Sequence, residues 1–242
     1  MNTPNRGVKR CLLWLVLLAA FCGSVKKISA AQSPADVSVR TVQIADVRLR
    51  IPLAYLDRWD GFQFTMGFVR MKALLPCLLP KTPENAAEFE KNVLGSSIII
   101  TVTLADKNAL TGDALLAARM KDAQSYREIT GRGPSNLWTQ HYDVGGFEIF
   151  DYEGLLKDIF LLRDSHPTFF IECSRLNQVP FPHCFGRGLI HNHLLIEYEY
   201  SRTWIEGNLQ TAESIDKNVR TLIARLASPE TENSQLIQGV CQ

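Results

Sequence analysis

The sequence predicts an α+β fold, a two-layer sandwich in which an antiparallel sheet carries about three helices on one face. Short β-branched and aromatic runs follow one another over residues 137–173 with only short turns between them. Strands joined in this way pair antiparallel, because parallel neighbours need a long crossover connection. In three other segments the apolar residues recur along a single stripe, which is typical of a helix that packs on a sheet.

The N-terminal strands follow from the alternation of apolar and polar residues. Residues at alternate positions are apolar or β-branched over 37–41 and 47–51, and a third alternating series over 62–68 runs into Val69 and Met71. A period of two predicts half-buried strands. The β-branched run 98–104 predicts a central strand that is buried on both faces.

Three helices are predicted from capping residues and helical spacing. Thr82 as N-cap, with Pro83 directly after it and Gly95 at the other end, predicts the first helix. Asp113 is expected to cap the second helix. Apolar residues at three- and four-residue steps over 212–226 predict the third.

The second half of the chain is expected to supply most of the sheet. Strands are predicted at 137–142, 146–152, 158–163, 168–173 and 193–201. Gly186 and Gly188 are interpreted as turn formers within a turn over 186–192. The polar segment from Ser228 is expected to be loose apart from Cys241.

Residues 1–31 have the features of a secretory signal peptide. Basic residues precede an uncharged apolar run from Cys11 to Cys22, and the small residues Ser29-Ala30-Ala31 follow. Export to the periplasm is therefore expected. The alternative is an inner-membrane anchor through residues 11–25, although these 15 residues are fewer than the roughly 17–25 that a membrane-spanning helix needs.

The rest of the chain is expected to form one domain. Residues 32–36 are interpreted as a mobile lead, 37–227 as a single α+β domain and 228–242 as a polar tail. Residues 1–31 hold five basic residues and no acidic one, so that 21 basic and 25 acidic residues remain after cleavage, a net charge of −4. An acidic chain argues against nucleic acid as the partner and favours a protein, with membrane contact only if the anchor is retained.

Four cysteines remain after cleavage, and an even number in an exported chain favours disulfides. Cys173 and Cys184 flank an expected hairpin loop and are the clear pair. Pairing of Cys77 with Cys241 follows only by elimination.

His191 and His193 are the candidate metal ligands, because residues two apart on a strand point to the same side and imidazole is a common zinc ligand. His191 falls at an expected turn, and no third ligand is near in sequence. We therefore expect both histidines to be exposed polar residues, and we expect no metal and no cofactor. No GxSxG motif of a serine hydrolase is present. A periplasmic metal-dependent hydrolase that uses the two histidines remains an alternative.

Three aromatic residues at the ends of predicted elements are candidate partner-binding residues. Tyr55, Trp59 and Trp138 lie beside Asp, Arg or Asn residues, and aromatic side chains often anchor protein interfaces. Trp204, which precedes the last helix, is expected to plug the core.

The order of several C-terminal segments resembles that of small exported proteins of Gram-negative bacteria, over about residues 160–226. The segments are Phe169 to Cys173, Pro182 to Phe185, Leu195 to Tyr200 and Ile215 to Leu226. Some of the proteins that these segments resemble are periplasmic immunity proteins of contact-dependent or type VI secretion toxins. The resemblance implies a non-enzymatic periplasmic binding protein that neutralises a secreted toxin, with no catalytic residue to transfer. A membrane-anchored envelope accessory protein is a further alternative.

Overall fold

A large antiparallel sheet organises the structure, which is a computed structural model. It describes residues 38–56, 67–91, 94–106, 112–130, 140–144, 146–152, 156–162, 169–190 and 193–241. The strands of these residues are β1 (Val39–Ile44), β2 (Val47–Pro52), β3 (Phe68–Leu74), β4 (Ser97–Leu104), β5 (Gln140–Val144), β6 (Phe147–Tyr152), β7 (Lys157–Leu162), β8 (Phe169–Ser174), β9 (His183–Ile190) and β10 (Leu194–Ser201). The helices are α1 (Ala86–Phe89), α2 (Gly112–Thr130), α3 (Gln210–Ala227) and α4 (Asn233–Leu236).

The prediction of an antiparallel α+β fold is confirmed. Eight strands pair in the order β3-β4-β10-β9-β8-β7-β6-β5, and β1 and β2 form a separate hairpin. Every pair is antiparallel. From β5 to β10 each strand lies beside the next one in sequence, as expected for strands that follow one another after short turns.

Helix α3 covers one face of the sheet, here called the inner face. It contacts β2, and its buried stripe joins the same core as the inner residues of β8, β9 and β10. The buried apolar residues of the helix are Ala212, Ile215, Val219, Leu222, Ile223 and Leu226. The third predicted helix is therefore present, with the stripe that its sequence indicated.

Helix α2 lies on the opposite, outer face. Its Leu115 and Leu116 form a second apolar cluster with residues of β6, β7 and β8, among them Phe170. Phe170 and Ile171 are neighbours on β8 and therefore point to opposite faces, and Ile171 belongs to the α3 core. The expectation that all helices share one face is wrong, because an apolar stripe shows that a helix packs on a sheet but not on which face.

The helix predicted to begin at Thr82 is a single turn. The position before α1 is occupied by Asn85, whose side chain accepts from the Thr82 amide at 2.7 Å and donates to the Pro80 carbonyl at 2.9 Å. Such side-chain bonds stabilise a loop in place of helical backbone bonds. Thr82 is therefore not the N-cap.

Strand β4 has one fully buried face rather than two. Ile98, Ile100 and Val102 are buried, whereas Ile99 and Thr101 between them are half-buried. The β-branched composition indicates a strand but does not distinguish a buried face from a half-buried one.

Gly186 and Gly188 lie within strand β9 and not in a turn. A Cβ at Gly186 would lie 2.2 Å from the Tyr198 ring, and one at Gly188 would lie 2.1 Å from the Arg220 guanidinium. These two glycines therefore let the Tyr198 and Arg220 side chains lie close to the strand backbone, which is one reason why glycine occurs within strands. The interpretation as a turn is therefore wrong for residues 186–190, and residues 191–192 lie outside the described residues.

The segment after α3 packs on the domain instead of being loose. Leu236 and Val240 are buried, and Arg50 donates to the Thr231 carbonyl at 2.6 Å. The Val240 amide donates to the Cys77 carbonyl, next to the Cys77–Cys241 disulfide. The segment is mostly polar, and its composition therefore does not indicate that Leu236 and Val240 fix it to the domain.

Both expected disulfides are present. Cys173–Cys184 joins adjacent strands with 4.0 Å between the Cα atoms, and both side chains are fully buried. Cys77–Cys241 spans 164 residues of sequence. Disulfides persist in oxidising compartments, so the two bonds fit an exported protein.

The described residues all belong to one unit, Asp36–Gln242. The predicted signal peptide (1–31) and lead (32–36) lie outside the described residues. Among the helices that are described, none combines the length and the apolar character that a membrane crossing would need.

Removal of the long-range disulfide should release the C-terminal segment. We expect Cys77→Ala/Cys241→Ala to lower the free energy of unfolding by about 2–5 kcal/mol, since the bond closes a loop of 164 residues. Urea denaturation without reductant measures this change. Cleavage at Glu230 and Glu232 by a glutamate-specific protease should also become faster.

The matched control is Cys173→Ala/Cys184→Ala, which keeps the tail bond. Unchanged protease resistance of the tail in the first variant would contradict the role of the Cys77–Cys241 bond.

Candidate functional site

One half of the outer face of the sheet differs from the inner face in how deeply its described side chains are buried. In β3, β4, β10 and β9 most outer side chains are half-buried, whereas inner ones such as Ile100 and Tyr198 are almost fully buried. Among the described residues no long helix covers this half, since α2 lies over β6 to β8 and α1 reaches only Lys72. We call this surface the open face; its residues are Arg70, Ile99, Thr101, Thr103, Phe185, Arg187, Leu195, Glu197 and Glu199.

The charges of the open face are paired across strands. Arg187 Nε donates to Glu197 Oε1 at 2.8 Å, and its guanidinium lies 5.9 Å from the centre of the Phe185 ring. His183 Nε2 lies 3.5 Å from Glu199 Oε1 at the end of the same strands. The Arg187 and Glu197 side chains are 26% and 24% exposed, so water reaches both. Such a surface can offer ionic and stacking contacts to a protein partner.

The inner face beneath it holds a buried polar network. Tyr198 Oη donates to Asp216 Oδ1 at 2.8 Å, and Arg220 Nε donates to Asp216 Oδ2 at 2.7 Å. Arg220 Nη1 also donates to the Leu189 carbonyl at 3.0 Å. The pairing of β8 with β9 that the structure describes ends at Gly186, and Arg220 donates to a β9 carbonyl beyond that point. The network joins α3 to the sheet.

Burial controls the protonation of the inner tyrosines. Burial raises the pKa of Tyr198, and the Asp216 carboxylate raises it further; the same two causes raise the pKa of Tyr200. The folded state therefore holds these protons more tightly than the unfolded chain, whose phenols titrate near about 10. The resulting stability is present below about pH 10 and is lost as the pH rises above it. Because both pKa values are raised, the Tyr198 and Tyr200 side chains are neutral near pH 7.

Tyr55 is not the exposed aromatic that the sequence suggested. It is fully buried and its hydroxyl donates to the Leu78 carbonyl at 2.9 Å, while burial raises its pKa. A residue at an element end can point inward as readily as outward, and the sequence does not separate the two. Trp59 and Trp138 lie outside the described residues. Trp204 is half-buried, and its Nε1 donates to the Gly95 carbonyl at 2.8 Å.

Only one of the two candidate metal ligands is a described residue. His191 lies outside the described residues, and His193 Nε2 lies 2.6 Å from Asp46 Oδ1 in the β1–β2 turn. In the described part of the chain, no three His, Cys, Asp or Glu side chains are grouped so that they could hold a metal ion.

A polar groove of about 430 Å³ separates α3 from the C-terminal segment. Arg225 lines it, but its guanidinium already donates to the Gln235 and Gln238 carbonyls. Small-molecule sites are mostly apolar with a few convergent polar groups. The side chains that line this groove are mostly polar, so it does not resemble such a site.

One exposed aromatic residue was missed from the sequence. Phe181 is 70% exposed, more than any other large apolar residue that the structure describes. It lies between Pro180 and Pro182, and a residue held between two prolines is unsuited to the interior of a sheet. That pattern could have indicated an exposed loop aromatic.

The fold was compared with known proteins. The sequence matches no protein-family model, and no curated protein matches it. An immunity protein of the Stenotrophomonas maltophilia type IV secretion system superposes with a TM-score of 0.51 at 17% sequence identity, over 79% of this chain and 94% of that one. The two chains share a fold. The iron-regulated outer membrane lipoprotein FrpD of Neisseria meningitidis superposes less well, with a TM-score of 0.49 at 13% identity, over 78% and 92% of the two chains.

The two inner tyrosines provide a matched test of the buried network. We expect Tyr198→Phe to lower the free energy of unfolding by about 1–3 kcal/mol, because it removes a donor from the Asp216 carboxylate. Tyr200→Phe should be neutral or stabilising, because the Tyr200 hydroxyl has no hydrogen-bond partner among the described residues. Chemical denaturation measures both values. Equal losses for the two variants would contradict the network.

Proposed function

We propose that the protein is an exported, non-enzymatic immunity protein that binds and neutralises a protein toxin in the periplasm. The observation that carries the proposal is the fold likeness, which spans 94% of an immunity protein of a bacterial secretion system. The shared fold covers 79% of this chain and 94% of that protein, and the proposal extends the likeness to a role in binding.

The compartment is supported by two independent features. The N-terminal segment has the regions of a signal peptide. Two disulfides, one of them buried in the core, fit an oxidising compartment. A toxin that acts in the periplasm would meet its immunity protein there.

The polar groups also favour binding over catalysis. Tyr198, Asp216 and Arg220 lie close together, but they are largely buried and bonded to one another, so a substrate would have to displace those bonds. The open face carries accessible charges and an aromatic ring on a rigid sheet. Rigid, partly polar surfaces of this kind suit a protein partner.

Co-expression tests the proposal. The product of a toxin gene that neighbours this gene is directed to the periplasm of a test strain, with and without the full chain. We expect growth to be restored only when this protein carries its N-terminal segment, and a stable complex of the two purified proteins. A version without residues 1–31 is the control, because its product stays in the cytoplasm. Absence of both protection and binding for every neighbouring toxin would contradict the proposal.

A substitution at the centre of the open face tests its part in binding. We expect Thr101→Arg to weaken binding of the toxin by about tenfold or more, because charged residues are poorly tolerated in interface cores. Titration calorimetry with the purified toxin measures the change. The control is Thr41→Arg, which introduces the same side chain at an exposed strand position of the separate hairpin. Equal affinities of the two variants would exclude the centre of the open face from the interface.

A further inference from the structure

We propose that the loop between β8 and β9, residues 175–182, anchors the toxin by inserting Phe181 into an apolar pocket on its surface. We call this segment the anchor loop. The inference rests on the proposed function and names the contact that would carry it. Its basis is an exposed aromatic residue on a loop whose two ends are fixed.

A covalent bond closes the base of the anchor loop. Cys173 and Cys184 are directly opposite each other on β8 and β9 and form a disulfide within the core. Backbone bonds fix both ends: the Arg175 amide donates to the Leu156 carbonyl at 2.8 Å, and the Pro182 carbonyl accepts from the Arg202 amide at 3.0 Å. The loop is therefore hydrogen-bonded to the residue before β7 at one end and to the turn after β10 at the other.

The Arg202 side chain reinforces the same base. Its Nη1 donates to the Ser174 carbonyl at 2.7 Å, and its guanidinium lies 5.7 Å from the centre of the Phe160 ring. Asp158 pairs with both Arg202 and Arg175. Arg202 and Asp158 are 13% and 14% exposed, so this cluster lies mostly inside the domain. Its charges hold the loop and are not presented to a partner.

The tip carries an exposed ring at a low entropic cost. Phe181 is 70% exposed and is preceded by Pro180 and followed by Pro182, each of which restricts the backbone. Because the loop is already constrained, little backbone freedom is lost when a partner orders it. Preorganisation of this kind raises affinity by lowering the cost of binding.

The composition of the tip indicates the chemistry of the pocket. Residues 176–182 contain no charged side chain, and five of the seven are apolar. A buried aromatic side chain removes about 150–250 Å² from water. The matching site on the toxin is therefore a concave apolar pocket with an uncharged rim. The His183 and Glu199 side chains, which lie 3.5 Å apart at the adjoining end of the open face, would lie outside that pocket.

A matched pair of truncations tests the inference. We expect Phe181→Ala to weaken binding of the neighbouring toxin's product by at least about 30-fold, as for an aromatic hot spot, with an unchanged melting temperature. The control is Leu104→Ala, which truncates another exposed apolar residue, 52% exposed. Leu104 pairs with Leu194 at the opposite end of β10, about 23 Å along the strand from the end near the anchor loop.

A third variant tests the rigidity of the loop without removing the ring. Pro180→Gly should weaken the same interaction by roughly two- to fivefold, because it adds backbone freedom to the unbound loop. Calorimetry with all three variants gives the comparison. An affinity for Pro180→Gly equal to that of the wild type would overturn the preorganised loop.

The outcomes separate this inference from the proposed function. If the wild-type protein does not bind the toxin, the proposed function fails and the anchor with it. If it binds and Phe181→Ala binds equally well, the anchor alone is overturned. Self-association in sedimentation, or binding to anionic lipid vesicles, that disappears in Phe181→Ala while toxin binding persists would assign the ring to a second copy or to a membrane and also overturn it.

Discussion

The packing of the Tyr198 and Arg220 side chains against strand β9 is the constraint on which the rest of the structure depends. A Cβ at Gly186 would collide with the Tyr198 ring, and one at Gly188 would displace the Arg220 guanidinium from its position. The space so provided lets the Tyr198 hydroxyl and the Arg220 guanidinium meet at Asp216. Burial of a carboxylate is unfavourable unless the carboxylate is paired and hydrogen-bonded. The contributions of these three side chains to stability therefore depend on one another.

The two faces of the sheet differ in how far the described elements cover them. The inner face is closed by α3 and the β1–β2 hairpin and forms the main core. On the outer face α2 covers only β6 to β8, where Arg119 donates to the buried Glu172 at 2.9 Å. Within the described residues, β3, β4, β9 and β10 keep an accessible outer surface over a rigid core. A surface built in this way keeps its shape because the residues beneath it are packed.

The candidate site was only partly predictable, for reasons that differ between residues. The sequence indicated that aromatic residues would serve a partner, but Tyr55 points into the core and forms a hydrogen bond there. Phe181 was missed because an isolated ring between two prolines has no periodicity that a pattern can detect. The open face was equally hidden: Thr101 and Glu197 are 96 positions apart in the chain and become neighbours only through strand pairing.

The sequence by itself determined the class of the fold, most strands, the last helix and the disulfide candidates, since these depend on local periodicity and on counting cysteines. The tertiary structure alone decided the placement of α2 on the outer face, the shortening of α1 and the docking of the C-terminal segment. It also decided that Gly186 and Gly188 belong to a strand. A glycine taken by itself favours a turn. In the folded structure the Tyr198 ring of β10 and the Arg220 guanidinium of α3 lie against Gly186 and Gly188, and these strand glycines leave room for them.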